Sequence, residues 1–187
     1  MSTATIEKGT LAPAGTWKVD TAHTRFGFAV KHMGVATVRG HFEDVDGTLV
    51  IGDDLASAKI TGSAKTASVQ TGVEGRDDHL RSADFFDAEN HPELTFESTR
   101  IEAIDDETFK VTGNLTIHGE TREIELEAEV GGVEVGMNGE DRVGIEATGK
   151  LSRSDFGMKF NAALGSGNAV VADKVKLALD ISAIREA

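Results

Sequence analysis

The sequence predicts an all-β protein: a single antiparallel barrel of about eight strands with a short helical insert. Three observations carry this reading. Apolar and polar residues alternate with period 2 through most of the chain from Thr16 onward, the pattern of strands with one buried face. Strands with polar outer faces would leave sheet edges exposed, and closure into a barrel removes those edges. One segment, 72–82, breaks the alternation and reads as a helix between the third and fourth strands.

Each element follows from its residues. Met1 to Ala14 mixes Ser, Thr, Gly and Pro without periodicity and is expected to be a flexible tail, with the barrel domain over residues 15–187. In 24–32, Phe26, Phe28, Val30 and His32 share one face, and Arg25, Gly27, Ala29 and Lys31 the other. Val45, Gly47, Leu49 and Ile51 line a second strand; Phe42 is out of step with them, which implies a bulge. Ala58, Ile60, Gly62 and Ala64 line a third. Thr71 and Glu74 then fit a capping box, and Asp77 and Arg81 stand at i,i+4, so a short helix is expected ahead of Phe85 and Phe86.

The second half alternates more cleanly. Leu94 and Phe96 begin it, followed by Val111, Gly113, Leu115 and Ile117. Ile124, Leu126, Ala128 and Val130 oppose Glu123, Glu125, Glu127 and Glu129. Val143 to Leu151 and Val175 to Ile181 complete the series. Turns are expected at His118-Gly119, Gly131-Gly132 and Asn138-Gly139, the last being the strongest hairpin signal.

Composition narrows the function. The chain has 187 residues, 27% charged and 39% hydrophobic, as in an ordinary soluble globular protein. Its net charge of −13 disfavours nucleic acid and anionic membrane surfaces, both of which require a basic face. The absence of Cys removes disulfides, thiolate nucleophiles and thiolate metal sites. No stretch approaches 18 consecutive apolar residues, so no integral membrane anchor is expected. The first residues show neither a basic nor an apolar signal region, so the expected compartment is the cytoplasm, or the periplasm or exterior if a signal has been removed.

An eight-stranded barrel is either filled by its side chains or holds one small ligand. The inward faces are rich in Gly62, Ala64, Gly113, Ala128, Ala147 and Gly149, which either ease tight corners or leave a cavity.

Five segments then occur in order: Trp17-Lys-Val-Asp20-Thr-Ala-His23, Val38-Arg-Gly40-His-Phe42, Arg76 through Phe86, His91-Pro92, and Leu115-Thr-Ile-His118-Gly119. Together they resemble the YceI-like family of bacterial proteins, over about Gly15 to Ile184. The resemblance implies a lipocalin-like barrel that binds polyisoprenoid or related long-chain lipids. The expected function is binding, storage or transport of such a lipid, with no cofactor beyond the lipid itself and self-association into a homodimer left open. The expected tail contacts are Phe26, Phe28, Val30, Phe85, Phe86, Phe96, Leu115, Ile117, Leu126 and Leu177. At the mouth, His32, Arg76, Asp77, His79 and Arg81 either frame a headgroup or tie the helix to the rim. Arg81 stands one turn from Asp77, which would leave Arg76 the freer anion donor.

Other chemistries find less support. His118 reads as a turn-capping residue, and His32 as either an interior histidine or a polar point in a pocket. The six histidines are scattered singly, with no H-x-H, H-x₃-H or H-E-x-x-H spacing, so no metal site is expected. The segment 144–150 nearly spells a phosphate loop, but Leu151 stands where Ser or Thr is needed. Asn114-Leu-Thr116 matches a glycosylation acceptor, but within a strand. There is no G-x-S-x-G elbow. The alternative to a binding module is a small enzyme using a His/Asp acid–base pair on a hydrophobic substrate in the same pocket. It requires acids deep inside, and the inward faces hold almost none.

Overall fold

The computed structural model describes residues 9–167 and 169–187. Among them, eleven strands form one antiparallel sheet: β1 (Gly15–Val19), β2 (Arg25–His32), β3 (Ala36–Phe42), β4 (Val45–Ile51), β5 (Lys59–Lys65), β6 (Val69–Gln70), β7 (Glu93–Ala103), β8 (Thr108–Ile117), β9 (Glu120–Val135), β10 (Asp141–Ser152) and β11 (Val171–Arg185). Helix α1 (Glu74–Arg81) lies between β6 and β7.

Three staves of the barrel are interrupted strands. β1 and β2 lie end to end along β11, β3 and β4 end to end along the β1/β2 stave, and β5 and β6 along the β3/β4 stave. Counted as staves, the sheet is a closed eight-stranded meander, and pairing of β11 with β1 and β2 completes the ring. The expected bulge falls between β3 and β4: Phe42 and Val45 are both buried, although they stand three positions apart and strict alternation would put them on opposite faces.

Turn chemistry behaves as expected at two of three sites. His118-Gly119 joins β8 to β9, and Asn138-Gly139 joins β9 to β10, with Gly139 at φ +83. Gly131-Gly132 is no turn. It lies inside β9, opposite a register slip between Gly144 and Ile145, with Gly132 at φ +130. Two glycines there absorb a bulge's twist while pairing continues.

Two further expectations are corrected. Within the expected tail, residues 1–8 lie outside the described residues, but Leu11 and Ala12 are each only 1% exposed. Gly9 N donates to Asp106 O in the β7–β8 turn at 3.5 Å, and Pro13 O accepts from Trp17 Nε1 at 2.9 Å. Leu11 thus adds buried apolar surface to the lumen at this end of the barrel.

The expected capping box does not form either. Helix α1 begins at Glu74, and its N-cap, Val73, makes no side-chain cap bond. Thr71 turns instead to Asp77, whose Oδ1 accepts from both the backbone N and Oγ1 of Thr71. Asp77 reaches back across the first turn, and its Oδ1 satisfies both donors of Thr71, the backbone N–H and the hydroxyl, at once.

Strand pairing sets the two ends of the barrel. The β2–β3 turn, α1 with the segment to β7, the β8–β9 hairpin and the 153–170 connection all lie at one end. The β4–β5, β7–β8 and β9–β10 turns lie at the other, with Leu11.

Candidate ligand-binding cavity

The lumen is hollow. It holds a cavity of about 540 Å³, within the range of small-molecule sites. Inward residues on β2, β7 and β11, including Phe26, Phe28, Phe96, Leu177 and Leu179, pack against the core yet are only half-buried, because they face this space. By contrast Val143 and Phe109, in the solid part of the core, are fully buried. The inward glycines do different jobs, and Gly62 supports the cavity reading. Gly113 lies under the Phe96 ring, where a Cβ would come within 2.4 Å of Phe96 Cζ, so that glycine seats an aromatic side chain. Gly62 has nothing nearer than 3.8 Å to a Cβ, so it opens onto the lumen.

All ten apolar residues expected to contact a lipid tail line the cavity: Phe26, Phe28, Val30, Phe96, Leu115, Ile117, Leu126 and Leu177 from the wall, Phe85 and Phe86 from the segment after α1. Phe86 packs edge-on against Phe42 at 5.4 Å, and Phe42 is 5.9 Å from Phe28. This chain of rings joins the α1 segment to the barrel wall.

The expected mouth residues divide. His32, Arg76 and His79 line the cavity; Asp77 and Arg81 do not. Asp77 is 3% exposed and holds Thr71 as described. Arg81 pairs with Asp78 at 2.8 Å, not with Asp77, and donates to the carbonyls of Ala67 and Val69. These two residues fasten α1 to the barrel. Arg76 is not the free donor expected: its Nε donates to Thr71 Oγ1 at 2.7 Å and a terminal nitrogen donates to Thr71 O at 2.9 Å. His79 bonds Asp84 at 2.8 Å and packs edge-on against Phe85 and Phe160 at 5.1 and 4.8 Å.

Sequence reasoning missed two cations of this rim. Lys31 sits on the outward face by alternation, yet lines the cavity at the end of β2 and has no ion-pair or hydrogen-bond partner among the described residues. Arg153 follows β10 and is 5% exposed. Its guanidinium donates to the carbonyls of Ala172 (2.9 Å), Met158 (2.6 Å) and Val171 (3.2 Å), and lies 5.9 Å from the Phe85 ring centroid. Burial pushes it down from the usual arginine range, against the opposing pull of Asp173. The ionisable groups lining the cavity are thus Lys31, His32, Arg76, His79 and Arg153; no Asp or Glu among the described residues lines it. All five stand at the α1 end.

A family model described as the YceI-like domain matches residues 17–183. The chain belongs to the YceI-like family. A UPF0312 protein of Photorhabdus laumondii is 35% identical over 178 residues, covering 94% of this chain and 89% of that protein. The crystal structure of the YceI protein of Campylobacter jejuni superposes with a TM-score of 0.72 at 34% identity, over 84% of this chain and 90% of that one. A polyisoprenoid binding domain from Saccharophagus degradans shares the fold, with a TM-score of 0.68 at 13% identity over 91% of this chain and 98% of that one. The two solved structures thus share this chain's barrel fold.

Proposed function

We propose that the protein binds a long-chain isoprenoid, or a similar amphiphilic lipid, with the hydrocarbon in the lumen and the head at the α1 end. The observation that carries this reading is the composition of the wall: apolar throughout its length, with charge confined to one rim. Each methylene-sized group moved from water into such a lumen gains about 0.8 kcal/mol, so a few isoprene units outweigh the cost of immobilising the chain. The family and the name of the Saccharophagus degradans domain support the same ligand class. A catalytic reading would need a carboxylate meeting a histidine inside the cavity; the carboxylate that meets His79 is the exposed Asp84, which does not line the cavity, and His32 lines it without one. Binding, storage or transport is therefore the favoured activity.

The test is native mass spectrometry of freshly purified protein, followed by organic extraction. A one-to-one complex that releases an isoprenoid lipid is expected. Protein that runs at its bare mass and takes up neither a polyprenol nor a polyprenyl phosphate from mixed micelles would overturn the proposal.

A further inference from the structure

Outside the cavity, the fold gathers Asp87 and His91, which stand at i,i+4, with His118 from a distant hairpin. Asp87 and His91 lie between α1 and β7; His118 lies in the β8–β9 hairpin. One donor atom from each falls within 4.8 Å of the others, and His91 Nε2 is 4.0 Å from Asp87 Oδ2. The two imidazole rings are 5.0 Å apart, and neither has a hydrogen-bond partner among the described residues. We propose that these three side chains bind a single divalent transition-metal ion of the zinc type, independently of any lipid in the lumen.

The donor chemistry suits that class: two imidazole nitrogens and one carboxylate oxygen are borderline ligands that select zinc-like ions over magnesium or calcium. Around an ion about 2.1 Å from each donor, tetrahedral ligands stand about 3.4 Å apart. Closing from the observed separations needs movements on the order of 1 Å, and the free imidazoles can make them. Three protein ligands leave a fourth position for water, and all three residues are only half-buried, so an ion has access.

The scaffold is built around the cluster. Of the three non-glycine residues with left-handed backbone among those described, two are Asp87 (φ +48) and His118 (φ +54). Such conformations cost energy and concentrate at functional positions. His91 is fixed through its backbone: its N donates to Asp87 O at 2.8 Å, and its carbonyl accepts from Thr66 Oγ1 at 2.7 Å. Asn90 Nδ2 donates to both Asp87 oxygens at 3.1 and 3.0 Å, as a supporting residue does beneath a metal carboxylate. Glycine at 119 keeps the His91 ring in place, since a Cβ there would come within 2.9 Å of its Cε1. An ion bound here would tie the segment after α1 to the hairpin, each preceded by a cavity-lining residue, Phe86 and Ile117.

The experiment uses the full chain stripped with a chelator, titrated with Zn²⁺ by calorimetry and with Co²⁺ by visible absorption. One equivalent is expected, with the intense visible bands of low-coordinate Co²⁺. His91→Ala and His118→Asn should each weaken binding more than the 10–100-fold that loss of a supporting residue brings, and Asn90→Ala should fall within that range. Asn at 118 accepts the left-handed backbone, so its fold is retained; circular dichroism of the metal-free variants checks this. His23→Ala and His79→Ala should bind as the parent does. No binding to the parent, or equal loss in His79→Ala or His23→Ala, would overturn the assignment.

Discussion

Replacing Gly62 with Leu tests the hollow lumen directly. Gly62 lies in β5 at a register opposite Gly47 and Phe96, and a Cβ built there meets only Asp46 O at 3.8 Å and the Phe26 ring at 3.9 Å, ordinary contact distances. Removing a strand glycine gains about 0.5–1 kcal/mol from the unfolded chain. A Leu side chain partly buried on the lumen wall adds about 1 kcal/mol, less than the full 1.5–3 because the cavity is not filled. The ligand-free variant should therefore be more stable by about 1–2 kcal/mol, a rise in Tm of about 2–8 °C for a chain of this size. Its four added carbons would displace about as many methylene groups of a bound tail, at about 0.8 kcal/mol each. That is roughly a hundredfold loss of lipid affinity. Gly113→Leu is the contrasting control, because a Cβ there clashes with Phe96 and Glu97 O, and overpacking should cost about 1–3 kcal/mol. Thermal unfolding of delipidated protein and polyprenol uptake provide the readouts. A Gly62→Leu protein destabilised by several kcal/mol would show the lumen to be packed. One that is stabilised but binds lipid unchanged would move the ligand elsewhere.

Three further outcomes follow from the rim and the barrel seams. Lys31→Gln should weaken binding of a polyprenyl phosphate about tenfold or more while leaving a neutral polyprenol of equal length unchanged, and Arg76→Gln should do less, because Arg76 is engaged with Thr71; competition binding of the two lipids decides it. Arg153→Lys should destabilise the protein by about 2 kcal/mol or more and speed proteolysis within 157–170, since an ammonium cannot serve three carbonyls in the guanidinium's plane. Arg142 and His23 beside Asp20 hold its carboxyl at about 2, below the ordinary 3.8. A depressed folded-state value stabilises above the unfolded one, so this contribution is present above about pH 4 and lost as pH falls toward 2. It amounts to about 2 kcal/mol at most before screening, and Asp20→Asn should flatten that part of the acid-unfolding curve.

The barrel was legible because alternation is a local signal: each strand names its inward face without reference to any other. So all ten expected wall residues do line the lumen. The rim was less legible, because side-chain reach and competition between partners are not periodic. Lys31 belongs to the outward set by parity, but at the last turn of β2 its long stem reaches the mouth. Thr71 reads as a cap from its spacing to Glu74, yet Asp77 offers it a carboxylate six residues on. The Asp87–His91–His118 cluster was missed for a different reason: Asp87 and His91 stand at i,i+4, but His118 joins them only where two loops meet at one barrel end, which spacing along the chain does not show.

The distribution of charge gives the rim its discriminating power. The whole chain carries −13, which opposes an anionic lipid at long range. At physiological ionic strength that field is screened over about 8 Å, so a headgroup at the mouth responds mainly to the groups within that distance. There the cations are of two kinds. Arg153 engages three of its five N–H donors with backbone carbonyls and Arg76 two of its five with Thr71, so both guanidiniums are held in place and act on a headgroup chiefly as fixed positive potential. Among the described residues Lys31 has all its donors uncommitted, and it sits on an exposed stem that can follow a moving head. A neutral head gains nothing from the fixed potential and little from one ammonium. A phosphate gains from both. On the proposed binding mode the tail is then held by area and the head by charge, so the two contributions can be varied separately through chain length and through ionic strength.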